Sequence, residues 1–369
     1  MIADEAVTGV AVAVFDVPTD APEADGTLAW SKTSVVVVEV RVGDGPRGLG
    51  WSYTGRAAAT LIEDLLAGVV VGRPALDVPG SSAAMVRAVR NLGRPGITAT
   101  AISAVDLALW DLKARLLDLP LCRLLGQVHT DVPVYGSGGF TSYDNEQTTA
   151  QLTRWVHELG IPRVKIKIGE SWGTEEARDL ERVALARRVI GPDVELYVDA
   201  NGGYTVGQAV RVARRFEEYD VRWFEEPVSS DDLAGLAAVR HQVVADVAAG
   251  EYGYDLPYFA RMIGAGAVDC LQVDVTRCGG VTEFLRAAAV AAAANVSVSA
   301  HCAPSLHAHP ATAVPNLRHL EYFHDHERIE RLLFDGALVA TRGSLTPDTG
   351  RPGIGMELKR ADAEPYRVH

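Results

Sequence analysis

The sequence predicts an α/β protein, a TIM-like (β/α) barrel joined to a smaller α+β unit. Three observations carry this expectation. Eight short apolar segments recur between residues 132 and 323 at a period of roughly 25 residues, with amphipathic helical stretches between them. The first 130 residues lack that repeat and read instead as strands followed by helices. A chain of 369 residues with 48% hydrophobic and 22% charged residues has a large core and is long for one ordinary domain. This composition excludes disorder, collagen and a coiled coil.

The elements follow in order. Residues 34–42 (SVVVVEVRV) are a β-branched run that stops at the turn Gly43-Asp44-Gly45, and 48–53 (GLGWSY) is its hairpin partner. Helical patterns cover 56–71, 81–92 and 99–118, the last ending before Leu119-Pro120. The barrel strands are expected at 132–138, 163–169, 195–201, 221–227, 244–251, 270–276, 296–301 and 319–323. A doubly wound open sheet is the rival, but KIKIGES after the second strand is not a phosphate-binding glycine loop. The tail is rich in Gly and Pro (LTPDTGRPGIG) and reads as leaving the barrel to pack on the first domain. The expected boundaries are 1–130, 131–330 and 331–369.

Charge and cysteine usage narrow the setting. A net charge of -13 argues against nucleic acid and acidic membranes as partners. The four cysteines include no CxxC pair and make no disulfide framework, which fits a reduced, cytoplasmic compartment. The acidic start MIADEAVTG does not resemble a signal peptide. The Ala/Val-rich run 287–300 is too short to span a bilayer.

Barrel chemistry sits where strands end. There the second strand supplies Lys165 and Lys167, the third Asp199 and Asn201, the fourth Glu225 and the fifth Glu251. The sixth supplies Asp274, the seventh His301 and the eighth Glu321. Asp199, Glu225 and Glu251 are spaced 26 residues apart in each step, one repeat each, so they recur at one height on neighbouring strands. One such acid alone is as readily a helix cap or a surface ion pair. Three converging carboxylates repel unless a cation lies between them, and all-oxygen donors favour Mg2+.

Only five of the 35 basic residues are lysines, and two of them stand two apart on one strand, so both face the barrel interior. The alternative, edge lysines that deter aggregation, does not explain an inward pair. Beside a bound cation and Lys165, the Lys167 ammonium is expected to have a lowered pKa and to serve as a general base. Lys165 would bind the substrate carboxylate. Asp274 beside His301 fixes the imidazole tautomer and gives a second acid/base on the opposite side of the mouth. Glu321 either hydrogen-bonds a developing enolate when protonated or positions His301. His307 and His309 follow as wall or cap residues, with His307 a candidate for substrate contact. His324 and His326 receive no role.

The order KIK, VDAN, FEEP, GE, DVTRCGG and SAH, followed by a glutamate on the last strand, resembles the enolase superfamily, mandelate racemase subgroup. The stretch ISAVDLALWDLKARLLDLPLCRLLG (102–126) is similar to that family's last cap helix and its entry to the barrel. The resemblance implies an α+β cap on a modified (β/α)7β barrel. It also implies one Mg2+ per subunit on Asp199, Glu225 and Glu251, with Lys167 and His301–Asp274 as bases, Lys165 assisting and Glu321 at the enediolate oxygen. The reaction implied is removal of the α-proton of a small carboxylate substrate. The muconate-lactonising branch carries a lysine where this chain has Asp274, which disfavours that branch.

Two bases on opposite faces permit dehydration to a 2-keto-3-deoxy acid, racemisation or epimerisation, or cycloisomerisation. Acid-sugar dehydration is the expected outcome. Specificity is expected from two mobile cap loops at about 16–30 and 50–56, with Trp30, Trp51 and Tyr53 closing over the substrate or merely packing the cap. A Schiff-base aldolase is the rival from another class, and a catalytically dead paralogue is another. The resemblance also implies a homo-oligomer.

Overall fold

Four consecutive valines, Val35–Val38, are the centre of the first domain, and they are continuous because both faces of their sheet are covered. The structure, a computed structural model, describes residues 5–369, and the acidic opening residues 1–4 lie outside it. Strands β1 (Gly9–Ala24), β2 (Ala29–Arg41) and β3 (Arg47–Tyr53) form an antiparallel sheet with β2 in the middle. Val35 and Val37 pack with Phe15, Val17 and Trp51 into the cluster shared with the barrel. Val36, Val38 and Val40 pack under the cap helices. The long helix Ile97–Leu116 crosses β3 at Gly48 and Gly50, where a Cβ would come within 2.0 Å of the Ala108 carbonyl and 2.4 Å of the Ala104 carbonyl. Only glycine permits that approach.

The cap differs from expectation in one respect. Segment 16–30 is not a loop but the end of a β-ribbon, with Glu23 opposite Trp30 and Ala24 opposite Ala29. Register shifts between Pro18 and Glu23, where β1 is an edge strand and tolerates its prolines. The ribbon tip is a short turn in which Asp25 Oδ1 accepts from the backbone N–H of Thr27 and Leu28 at 2.6 and 2.8 Å. The second expected loop, 50–56, is mostly the end of β3.

Eight parallel strands close into a barrel: β4 (Val132–Gly138), β5 (Arg163–Lys167), β6 (Glu195–Asp199), β7 (Val221–Glu225), β8 (Asp246–Ala249), β9 (Cys270–Val273), β10 (Ser297–Ala300) and β11 (Leu317–Phe323). Closure is the parallel pairing of β11 with β4. Ile166 and Ile168 pack outward with the helices, and the alternate residues face inward. One layer below the strand ends, Tyr135, Tyr197 and Trp223 close the barrel with His319, ring centroids 4.7–6.3 Å apart.

Cap and barrel are joined by buried polar contacts. Asp106 on the long cap helix accepts from Thr282 Oγ1 at 2.6 Å and from its N–H at 3.1 Å. After the helix His324–Leu333 the chain returns to the cap, where the Val368 N–H donates to the Val14 carbonyl at 2.8 Å, the Val14 N–H donates to the His369 carbonyl at 3.1 Å, and Arg360 pairs with Glu39.

Candidate active site

The ends of β5 to β11 bring the predicted set together. Lys165, Lys167, Asp199, Glu225, Glu251, Asp274, His301 and Glu321 are all buried, none more than 6% exposed. Neighbouring register places Lys167 beside Asp199 and Asp199 beside Glu225. Asp199, Glu225 and Glu251 each offer a carboxylate oxygen within 4.8 Å of the others. Three oxygen donors with no sulfur or nitrogen among them suit a hard divalent cation.

The lysines run through this acid cluster. Lys165 Nζ contacts Glu225 closely, Glu321 at 2.8 Å and Asp199 at 3.5 Å, and lies over the Tyr135 ring. Lys167 Nζ is 2.5 Å from Asp199. Burial alone would lower both ammoniums, but the carboxylates reverse it: Glu225 and Glu321 for Lys165, Asp199 for Lys167. Both stand above the usual lysine range. The lowered pKa expected for Lys167 therefore does not arise from the protein's own charges. It requires a dication that takes up Asp199. Burial, then the charge of Asp199, pushes Glu225 up to about 8 despite Lys165. The cluster is thus short of positive charge even with both lysines present.

His301 Nδ1 is 2.8 Å from Asp274 Oδ2, which gives Nδ1 the proton and aims Nε2 at the mouth. Nε2 lies 3.2 Å from Glu251 and 3.5 Å from Glu321. Burial disfavours the imidazolium, but Glu251, Glu321 and Asp274 hold His301 well above its ordinary value. Burial likewise opposes ionised Asp274 and Glu321, yet His301 holds Asp274 low and Lys165 holds Glu321 low. Glu321 accepts from Ser137 Oγ at 2.5 Å and pairs with Lys165 at 2.8 Å, the contacts of an ionised carboxylate.

A cavity of about 350 Å3 opens above these groups. Asn201, Trp30 and Tyr53 line it, and Asn201 Oδ1 has no partner among the described residues. Two expected substrate residues do not reach it. Trp51 is wholly buried and stacks on Phe334 with centroids 4.2 Å apart, so it is cap packing. His307 is also fully buried with both nitrogens committed: Nε2 accepts from Val275 N–H at 2.9 Å and Nδ1 reaches the Cys302 carbonyl at 2.8 Å.

Other residues at the site were missed. Arg277 lies 3.4 Å from Glu251 and 3.6 Å from Asp274, and its position three residues past Asp274 was the available signal. Cys302 Sγ lies 3.3 Å from His301 Nε2. Glu226, beside Glu225, is buried, and burial with the charge of Glu251 holds it well above the usual carboxylate range. His326, given no role from sequence, lines the cavity and stacks on Tyr53 at 3.3 Å. His324, also given none, pairs with Asp20 of the ribbon at 3.0 Å.

A barrel whose strand ends carry three acids between a lysine pair and a His–Asp dyad defines an enzyme of the enolase type. Residues 9–126 match the mandelate racemase/muconate lactonizing enzyme N-terminal domain, and 147–363 match the enolase C-terminal domain-like family. The chain belongs to the mandelate racemase/muconate lactonizing enzyme family of the enolase superfamily. A mandelate racemase/muconate lactonizing enzyme-like protein from Rubrobacter xylanophilus is 50% identical, with TM-score 0.95 over 98% of this chain and 100% of that one. A 3,6-anhydro-alpha-L-galactonate cycloisomerase from Streptomyces coelicolor is 32% identical over 94% of this chain and 95% of its own. An L-talarate dehydratase from Polaromonas sp. JS666, solved with Mg and L-glucarate, is 30% identical with TM-score 0.89, covering 99% of this chain and 98% of that one.

Proposed function

We propose that this protein is a Mg2+-dependent lyase that removes the α-proton of an acid sugar and expels the β-hydroxyl, giving a 2-keto-3-deoxy acid. The observation that carries the reading is the buried trio of carboxylates within 4.8 Å, flanked by Lys167 and by His301. Asp199, Glu225 and Glu251 would hold the ion, which when bound supplies positive charge to the substrate carboxylate and to the enediolate it becomes. Lys165 adds a fixed ammonium beside that charge. Lys167, released from Asp199, takes the proton from C2 in its amine form. His301, charged and held by Asp274, delivers its Nε2 proton to the C3 hydroxyl, which leaves as water. Glu321 keeps Lys165 and His301 in position. Asn201, Trp30 and Tyr53 contact the rest of the substrate.

Cycloisomerisation is the second reading, favoured by the likeness to a cycloisomerase over nearly the whole chain. Racemisation or epimerisation uses the same two bases. A Schiff-base aldolase is disfavoured because Lys165 is enclosed by Glu225, Glu321 and Asp199. The proposal also takes the cap as 1–130, the barrel as 131–330 and the returning segment as 331–369, in a cytoplasmic homo-oligomer. Four free buried thiols fit that compartment. No helix among the described residues is long and apolar enough to cross a membrane.

The test is an acid-sugar library with Mg2+ in D2O. A semicarbazide-reactive keto acid supports dehydration. Deuterium at C2 without loss of water identifies an epimerase, and an isomer with neither outcome identifies a cycloisomerase. No reaction and no exchange with any acid sugar overturns the proposal.

A further inference from the structure

The wall of the cavity opposite the acid cluster comes from the cap ribbon and the residues just past β11. Its charges are already matched. The one lysine there, Lys32, is paired with Asp16, and Asp16 also accepts from Ser34 Oγ at 2.6 Å. Thr33 Oγ1 donates to Asp325, and the Trp30 indole donates to Glu23 at 2.8 Å. Asp25 sits in the ribbon tip, while Asp20 is matched by His324 and Asp325 by Arg328. On the barrel side Arg277 is committed to Glu251 and Asp274. Among the described residues, a second carboxylate placed against this wall meets no unpaired cation.

His326 is the exception to this commitment. Its Nδ1 accepts from the backbone N–H of Ala303 at 3.2 Å. A backbone N–H can only donate, so Nδ1 carries no proton and the imidazole is neutral with its proton on Nε2. Burial acts in the same direction and, although the charge of Asp274 opposes it, keeps His326 well below its ordinary value with help from His301 and Arg277. One ring face is covered by Tyr53, with rings 7° from parallel, and Phe323 meets it edge-on at 5.1 Å. The ring is therefore fixed, and among the described residues its Nε2 has no hydrogen-bond partner.

We infer that the substrate is a monocarboxylate, an aldonic acid and not an aldaric diacid, and that His326 selects it by donating from Nε2 to a hydroxyl on the tail far from the carboxylate. This rests on the acid-sugar reading above. A buried neutral donor favours an uncharged hydroxyl, because a carboxylate would be desolvated there with one neutral hydrogen bond.

The test uses the Mg2+-loaded enzyme, five- and six-carbon aldonates and the aldarates of matching configuration, with C2 exchange and turnover followed by NMR. At least one aldonate is expected to exceed its aldarate by about 100-fold or more in kcat/KM, the scale on which a site rejects an ill-matched polar group. His326→Phe keeps the ring on Tyr53 and removes the donor. On that aldonate KM is expected to rise about 10-fold with kcat little changed, and the loss to fall within about 2-fold on one of the analogues deoxygenated along the tail. His326→Gln, which keeps a donor, is expected to recover part of the loss and carries the test should the Phe variant misfold by circular dichroism. Aldarates used as well as aldonates, or equal losses on the parent and on every deoxy analogue, overturn the inference while leaving the acid-sugar reading intact. Exchange with neither class overturns that reading and this inference with it.

Discussion

The barrel mouth and the cap ribbon enclose the same cavity by opposite means. At the mouth each charged group is paired with a group from another strand: Lys165 of β5 with Glu225 of β7 and Glu321 of β11, and His301 after β10 with Asp274 after β9. None of those contacts can move without moving the barrel. In the ribbon the side-chain pairings are local, Lys32 with Asp16 and Trp30 with Glu23, and the ties to the barrel run largely through ribbon carbonyls: Ser142 donates to Pro22, Thr141 to Ala24 and Asp25, and Trp172 N–H to Gly26, beside the side-chain links of Thr33 to Asp325 and Asp20 to His324. Reaction type is therefore set by side chains on the barrel strands, and substrate choice by the cap layer laid over them.

The largest test of that division is at the mouth. Lys167→Ala or His301→Ala is expected to cut turnover at least about 10³-fold with an unchanged circular dichroism spectrum, since each is a proton-transfer group. Full activity in both would break the assignment. Glu225→Gln is expected to weaken Mg2+ binding by calorimetry by more than about 100-fold, above the range for an outer-shell partner. An unchanged affinity would remove the three acids as the ion's ligands. Asp274→Asn, which disturbs the tautomer of His301 and not its position, is expected to cost about 10²-fold in kcat with KM nearly unaltered.

The ribbon should respond more weakly. Thr33→Val removes its tie to Asp325, and a KM rise of about 2–5-fold with constant kcat is expected, the size of one lost hydrogen bond. A loss of kcat comparable to that of Asp274→Asn would place the ribbon in the chemistry. Glu23 gives a stability test. Burial first, then the charge of Asp325, pushes its carboxyl from the ordinary 4.5 up to about 9. The folded state thus binds this proton more tightly than the unfolded chain. The linked stability is full below pH 4.5 and is lost as pH rises towards 9. Glu23→Gln is expected to melt at least about 2–4 °C above the parent at pH 9. The gap should narrow as pH falls towards 4.5, and a constant gap across that range would contradict the burial argument.

The same division explains what could be read from the sequence. Barrel strands and strand-end acids were legible because each lies one repeat from the next, and a repeat is local information. The lysine pair was legible because two residues on a strand share a face whatever surrounds them. Trp51 was not, because its burial depends on Phe334, which arrives after the whole barrel has closed. The ribbon over 16–30 was hidden by prolines that an edge strand accepts, and edge position is a property of the sheet. His326 carried no periodic signal, since its place is set by Tyr53 and the Ala303 N–H, neither close in sequence. His307 was legible as a wall residue but also as a substrate contact, and its two backbone contacts decide for the wall.

The aromatic layer of Tyr135, Tyr197, Trp223 and His319 has a consequence for traffic through the molecule. It seals the barrel just beneath Lys165, so the pocket has one door. Reactant, expelled water and product all use the face that the ribbon covers, and none can leave in transit to the other end. Retooling this scaffold for a bulkier compound thus has a single adjustable side, the one the ribbon covers. Lengthening or trimming the ribbon changes both what enters and how fast it departs, which couples selectivity to release rate in any engineered descendant.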